Sequence, residues 1–135
     1  MVSCDNAHAV HPNDVAKTDS INNVFMNEGI VIKHNANQHY ATDGLSQAVL
    51  KYVFDLNKIP YQDFTNRSDV RGGSTLGSIS TTQVSIPTVD IGLAQLAMHS
   101  CVETAGTKDL ETLVCAMKAF FSAHITKKNG NIVIE

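Results

Sequence analysis

Two stretches of the chain have apolar side chains at three- and four-residue steps, the spacing of an amphipathic helix. The first begins at Thr42, a favourable N-cap residue, and ends before Pro60, which cannot continue a helix. The second runs from about Lys108 to Ala123. The predicted buried faces comprise Leu45, Ala48, Val49, Tyr52, Val53 and Leu56 in the first helix, and Leu110, Leu113, Val114, Met117, Phe120 and Phe121 in the second.

Short apolar runs predict strands between these helices, since β-branched residues favour extended backbone. The order strand, strand, helix, strand, strand, helix is typical of the α/β class. Pro87 indicates that the last strand begins at a sheet edge, and residues 71–77 (RGGSTLG) predict a glycine-rich turn. The tail KKNGNIVIE contains an Asn-Gly turn signal but no visible pairing partner, so its state is left open. The four predicted strands are 1–4 (MVSC), 29–34 (GIVIKH), 61–64 (YQDF) and 85–92 (SIPTVDIG).

Composition and charge exclude several functional classes. The 135 residues are 43% hydrophobic and 17% charged, which is typical of one globular core. Ten basic and thirteen acidic residues leave a net charge of −3 without a block of either sign, so we expect neither a nucleic-acid partner nor a membrane surface. No leader pattern opens the sequence, and no apolar run approaches the roughly 20 residues that span a bilayer. Three widely spaced cysteines favour a reducing compartment, and we predict a cytoplasmic protein.

Several side chains could carry chemistry. Asp5 follows the first predicted strand, where α/β folds place ligand-binding groups, although aspartate is also a common turn residue. His8 and His11 could share a metal ion or belong to a polar loop, since Pro12 argues against a helix there. His99 closes an apolar stretch and is either a metal ligand or a hydrogen-bonded core or capping histidine.

Lys33 interrupts the apolar strand GIVIKH. Its side chain either extends to solvent or offers a positive charge to an anionic group in a cleft. The GGSTLGS segment has the glycine spacing of a phosphate-binding loop, but Ser78 stands where that loop needs a lysine, so this interpretation is rejected.

Four motifs occur in order along the chain: SCDNAHAVHPN, GIVIKHNANQHYATD, PYQDFTNRSDVRGGSTLG and TVDIGLAQLAMHS. Together they resemble the C-terminal part of the aspartyl aminopeptidase family of zinc metallopeptidases. The resemblance implies part of a phosphorylase/hydrolase-like three-layer α/β sandwich, with residues 2–123 in the C-terminal part of the catalytic domain and 124–135 as a tail. A strand at the very start of the chain fits the expectation that this is the later part of something longer.

Family members assemble into dodecamers, and their active sites hold two zinc ions. Matched motif by motif, the resemblance implies that Asp5 binds one zinc ion and His99 the other. His8, Lys33 and Tyr40 match positions that line the substrate pocket, whereas His11 becomes a loop residue. The implied activity is removal of an N-terminal residue, Asp or Glu, from peptides.

The family's remaining metal ligands, its general-base glutamate and an inserted domain precede the matched region. We therefore expect the isolated chain to be inactive, with no general base among its own residues. The alternative is a non-catalytic assembly or interaction module derived from such an enzyme.

Overall fold

The computed structural model describes residues 1–134, and its elements alternate between short strands and helices. The strands are β1 (Val2–Cys4), β2 (Ala7–His8), β3 (Ile30–His34), β4 (Tyr61–Thr65), β5 (Val89–Gly92), β6 (Ala94–Leu96), β7 (Thr104–Ala105), β8 (Ile125–Lys128) and β9 (Asn131–Ile134). The helices are α1 (Gly44–Leu56), α2 (Leu76–Gln83) and α3 (Thr107–Ser122), with a single 3-10 turn at Val15–Lys17. The predicted α/β class is confirmed.

The main sheet has the strand order β1-β5-β3-β4. Strands β1 and β5 are parallel, as are β3 and β4, whereas β3 and β5 are antiparallel. Because side chains alternate along a strand, Ile30, Ile32 and Ile91 lie on one face, where they form a core with α1 and α3. Val31 belongs to a second core on the opposite face, together with Tyr40 and residues from β2, β4 and β6.

A second sheet of order β2-β6-β7 continues the first. Residues 5–9 keep following the later segment after β1 ends, because the N–H groups of Asp5, Ala7 and Ala9 donate to the carbonyls of Ile91, Leu93 and Gln95 at 2.8–2.9 Å. At the junction, a Cβ added to Gly92 would overlap the carbonyl group of Asp5. Glycine at this position therefore allows the two backbones to lie in close contact.

The first predicted helix is confirmed as α1, but its cap and its buried face differ from expectation. Asp43, not Thr42, is the N-cap: its carboxylate accepts the Ser46 N–H at 2.7 Å, and Ser46 Oγ accepts the Asp43 N–H at 3.0 Å. The Thr42 hydroxyl instead accepts the backbone N–H of Asp90 at 2.9 Å. The buried residues are Ser46, Leu50, Val53 and Phe54, whereas Leu45, Tyr52 and Leu56 are more than half exposed. The helix carries two apolar stripes: of the predicted one, Val53 is buried as expected, whereas Leu45, Tyr52 and Leu56 are replaced in the core by Leu50 and Phe54.

Helix α3 is confirmed with a similar shift of face. Leu113, Met117 and Phe120 pack against the core as predicted, together with the fully buried Ala116. Leu110, Val114 and Phe121 were also predicted to be buried, and all three are exposed. The buried stripe of α3 is narrower than predicted because the helix lies against both α1 and β3.

Three local predictions are wrong or incomplete. The last residues of the predicted 71–77 turn begin α2, a serine- and threonine-rich helix of weak intrinsic propensity. Strand β5 begins at Val89 and lies between β1 and β3, so Pro87 precedes an interior strand instead of marking an edge. The tail pairs with itself, because β8 and β9 form an antiparallel hairpin around Asn129 and Gly130. Within residues 1–134, no helix is long and apolar enough to cross a membrane.

The two stripes of α1 give a direct test of this packing. We expect Leu50→Ala to lower the free energy of unfolding by about 2 to 4 kcal/mol, since it opens a cavity in the core. Leu56→Ala, on the exposed stripe, should change it by less than about 0.5 kcal/mol. Urea unfolding of the purified chain, followed by circular dichroism, measures both. A larger loss for Leu56→Ala would place the predicted stripe in the core.

Candidate active site

The candidate residues approach one another where the two sheets meet. Asp5 follows β1 directly, His8 ends β2, and Lys33 lies in β3. Tyr40 lies in the loop between β3 and α1, and His99 lies in a bend after β6. Parallel pairing of β1 with β5 and of β2 with β6 brings the first residues of the chain beside the segment that leads to His99.

Lys33 is the most constrained of these residues, with only 2% of its surface exposed. Its Nζ donates a hydrogen bond to the Asn6 carbonyl at 3.1 Å and lies 3.4 Å from Asp5 Oδ2. The ammonium also lies 5.0 Å from the centroid of the Tyr40 ring, within cation–π distance. Burial lowers the pKa of Lys33, and the charge of Asp5 opposes this effect. The solvent-directed alternative for Lys33 is therefore wrong, and its ammonium lies buried beside Asp5.

Tyr40 is a buried residue with a polar partner at its tip. Its hydroxyl donates to Asn66 Oδ1 at 3.0 Å, and its ring packs with Phe64 in the second core. Burial raises the pKa of the phenol, and the charge of Asp5 raises it further. The hydroxyl therefore stays protonated and can donate hydrogen bonds at neutral pH.

His8 presents an imidazole with a lowered pKa. Partial burial is the main cause, and the charges of His99 and Lys33 act in the same direction. The ring is therefore mostly neutral at pH 7 and offers one N–H donor and one acceptor. His11 lies in the following loop, exposed to solvent, and its Nδ1 accepts the Asn13 N–H at 3.2 Å.

His99 has an unusual backbone conformation, with φ at +67°. Non-glycine residues in this region carry a strain of about 1 kcal/mol or more and persist where their surroundings fix them. Here the His99 N–H donates to Glu103 Oε1 at 2.6 Å, which ties the bend to the chain just before β7. The imidazole itself makes no hydrogen bond within residues 1–134, and its side chain is exposed.

The donor groups at this site match zinc chemistry but are too few for a complete metal centre. Carboxylate oxygen and imidazole nitrogen are ordinary zinc ligands. Asp5 is half exposed, and Lys33 is its side chain's hydrogen-bond partner. In the part of the chain that the structure describes, no three His, Cys, Asp or Glu side chains are arranged to hold a metal ion. Any complete centre would need ligands beyond Asp5 and His99.

The structure adds three polar residues that the sequence prediction missed. The side chain of Asn6 donates to Gln95 Oε1 at 2.5 Å and accepts the Leu93 N–H at 3.1 Å, which fixes the backbone beside Asp5. Asn66 holds the Tyr40 hydroxyl, and Asp90 is fully buried in β5. Asp90 had a signal in the sequence: like Lys33, it is a charged residue inside an apolar strand.

Two curated bacterial relatives are similar to most of this chain. Both are named "Probable M18 family aminopeptidase 2". The protein from Clostridium acetobutylicum is 54% identical over 109 residues, covering 81% of this chain and 25% of the relative. The protein from Stutzerimonas stutzeri is 46% identical over 123 residues, covering 91% of this chain and 29% of the relative. The chain thus spans less than a third of the length of these relatives.

Solved structures share the fold. A chain in the cryo-EM structure of the Ape4 and Nbr1 complex is 42% identical, with a TM-score of 0.87 over 89% of this chain and 23% of that chain. The mApe1 dodecamer from Saccharomyces cerevisiae is 29% identical, with a TM-score of 0.79 over 89% of this chain and 26% of its own.

The family model for the aminopeptidase I zinc metalloproteases, M18, matches residues 1–121. This match covers most of the chain, and it agrees with the curated relatives and with the solved folds. The resemblance stated from the four motifs is confirmed: the chain belongs to the M18 family of zinc aminopeptidases.

Proposed function

We propose that this chain forms part of a dinuclear zinc aminopeptidase that removes an N-terminal Asp or Glu from peptides. The observation that carries the proposal is the buried Lys33 ammonium, which lies 3.4 Å from the Asp5 carboxylate and 5.0 Å from the centroid of the Tyr40 ring. A cation beside a candidate metal ligand suits a substrate whose first side chain is anionic. Membership of the M18 family supports the reaction class.

Asp5 and His99 are the proposed terminal ligands, one to each zinc ion. When bound, a pair of zinc ions polarises the scissile carbonyl and supplies hydroxide at neutral pH. The close backbone contact at Gly92 fixes the position of Asp5, and the Glu103 carboxylate fixes the bend that presents His99. The backbone of each ligand is therefore held in place, at Asp5 by a neighbouring strand and at His99 by a side-chain hydrogen bond.

Lys33 is the proposed specificity residue. An ammonium group has three N–H donors, and those of Lys33 point to the Asn6 carbonyl and, more weakly, to Asp5. The third donor remains for a substrate carboxylate. The neutral His8 ring adds a hydrogen-bond donor that orients the substrate, and Tyr40, whose own proton goes to Asn66 Oδ1, offers its hydroxyl oxygen as an acceptor.

The proposed assembly is a homo-oligomer, a dodecamer in the enzyme that contains this chain. The yeast relative is described as a dodecamer, which supports this proposal. We also propose that the protein is cytoplasmic. Its three cysteines, Cys4, Cys101 and Cys115, are free and exposed, and a reducing compartment keeps such thiols from forming disulfides.

A second candidate is a non-catalytic assembly module. The observation that favours it is the pair of exposed apolar stripes on α1 and α3, which include Leu56, Leu110 and Phe121. Surfaces of this kind mark contacts with other protein. Under this alternative the chain joins an oligomer without holding metal ions.

The isolated chain should show no aminopeptidase turnover and bind zinc weakly. The reason is that no three ligands converge within residues 1–134, and the family's general base is expected outside the chain. Assays on aspartyl and glutamyl amides with added zinc or manganese check this, with isothermal titration for zinc affinity. Robust turnover by the isolated chain would contradict the proposal.

In the enzyme that contains this chain, Asp5→Ala and His99→Ala should each lose about one metal ion per protomer and nearly all activity. Neither change should unfold the domain, because both side chains lie outside the two cores. Elemental analysis of the purified variants measures the metal content. His11→Ala is the control, since that loop histidine is not a proposed ligand. Full metal occupancy in either variant would remove its residue from the ligand set.

Lys33→Met should lower kcat/KM for an aspartyl amide by about 10- to 100-fold, the value of a charge-assisted contact in a partly desolvated pocket. Activity on an alanyl amide should stay nearly unchanged. Lys51→Met is a matched control, because Lys51 also pairs with a carboxylate, Asp63, and lies 5.5 Å from the centroid of a tyrosine ring. An equal fall on both substrates would show that Lys33 supports catalysis or folding generally.

A further inference from the structure

Asp90 is a buried acid whose hydrogen bonding is incomplete. Its side chain has no solvent exposure. Oδ2 accepts the Ala41 N–H at 2.5 Å, but Oδ1 has no hydrogen-bond partner within residues 1–134. A buried carboxylate is costly unless charges or dipoles around it compensate. The groups around the Asp90 carboxylate therefore indicate the role of this residue.

The sheet register places a buried cation opposite this acid. Strands β3 and β5 pair Val31 with Gly92 and Ile32 with Ile91, so the next antiparallel pair joins Lys33 and Asp90. Directly opposed residues have Cβ atoms about 4.5 to 5.5 Å apart and project from the same face. Lys33 is 2% exposed and Asp90 is 0% exposed, so the two opposite charges share one water-excluded row of the sheet.

The same residue also holds the loop that carries Tyr40. Besides the bond from the Ala41 N–H to its carboxylate, the backbone N–H of Asp90 donates to Thr42 Oγ1 at 2.9 Å. These two bonds fasten the residues immediately after Tyr40 to β5. The Tyr40 ring in turn lies 5.0 Å from Lys33 Nζ.

Helix α2 closes over the carboxylate from the other side. A Cβ added at Gly77 would lie 2.6 Å from Asp90 Oδ1 and 2.7 Å from Oδ2, so the first turn of the helix packs directly against the acid. The N-terminal end of a helix carries partial positive charge, which favours a carboxylate there. Gly77 in the GGSTLGS segment thus leaves space for Asp90.

We infer that Asp90 is a positioning residue for the substrate pocket: its carboxylate opposes the Lys33 ammonium across the sheet and anchors the loop that presents Tyr40. This inference rests on the proposed function where it concerns specificity, and on geometry alone where it concerns the loop. Asp90 itself does not reach the substrate, because its carboxylate is fully buried against α2.

Two substitutions test the charge of Asp90 separately from its hydrogen bond with the Ala41 N–H. Asp90→Asn removes the charge but keeps an acceptor for the Ala41 N–H, whereas Asp90→Ala removes both. The matched control is Asp109, a second fully buried acid that accepts the backbone N–H groups of Asn27 and Gly29 away from the pocket. Each variant is made in the enzyme that contains this chain.

Asp90→Asn should lower the ratio of kcat/KM for aspartyl over alanyl amides by about tenfold, since a displaced cation loses part of its contact with the substrate. Asp109→Asn should leave this ratio unchanged even where it lowers thermal stability. In hydrogen–deuterium exchange, Asp90→Ala should speed exchange in a peptide covering residues 39–43, whereas Asp90→Asn and Asp109→Ala should not.

The outcomes distinguish this inference from the proposed function. If Lys33→Met changes the substrate ratio but Asp90→Asn does not, the inference is overturned and the proposed function stands. If Lys33→Met leaves the ratio unchanged, the proposed specificity fails, and exchange at residues 39–43 decides the inference. Faster exchange in Asp90→Ala alone supports the positioning role. Equal exchange in Asp90→Ala and Asp109→Ala overturns it.

Discussion

The pairing of residues 2–9 with residues 89–95 joins parts of the chain that are far apart in sequence, and the candidate site depends on it. Cross-strand pairs run from Val2 opposite Val89 to His8 opposite Gln95, with the hydrogen bonds continuing through Asp5. Parallel strands cannot be joined by a short turn, so the intervening chain must supply a long connection, and here it supplies β3, α1, β4 and α2. Long-range pairing of this kind is slow to form and costs loop-closure entropy. The proposed ligands Asp5 and His99 therefore come together only through contacts between segments far apart in sequence.

A row of buried charge crosses the middle of the main sheet. Lys33 and Asp90 occupy positions where an apolar residue would pack more cheaply, since each buried ion costs several kcal/mol of solvation free energy. The compensation comes from Asn6, Asp5 and Tyr40 around the cation, and from the Ala41 N–H and the start of α2 around the acid. An energetic cost of this kind is found at functional sites, where the orientation of a group matters more than the stability of the fold.

Much of the fold could be predicted from the sequence because periodicity is a local property. The strand at GIVIKH and the two long helices follow from residue spacing alone, and the family follows from four motifs in order. The buried face of α1 could not be predicted, because Leu45, Tyr52 and Leu56 form a stripe as regular as the one that contains Leu50 and Phe54. Only the tertiary partners decide between them. Helix α2 was missed because its serines and threonines have weak helix propensity, and it is held by packing against β1 and Asp90.

In the candidate site, the motifs indicated Asp5, His8, Lys33, Tyr40 and His99. The supporting Asn6 and Asn66 could not be identified without the distances between strands.

The close contact between Gly92 and the backbone of Asp5 has a consequence for how sequence variants are interpreted. Gly92 has no side chain that could bind a metal or a substrate, yet any larger residue there would collide with the backbone of Asp5. A substitution at this position would move Asp5 and the strand that leads to His8 while leaving every functional group chemically intact. In a mutational screen, a change at Gly92 would therefore be grouped with changes at the candidate site residues, and a classification based on chemical function alone would misplace it.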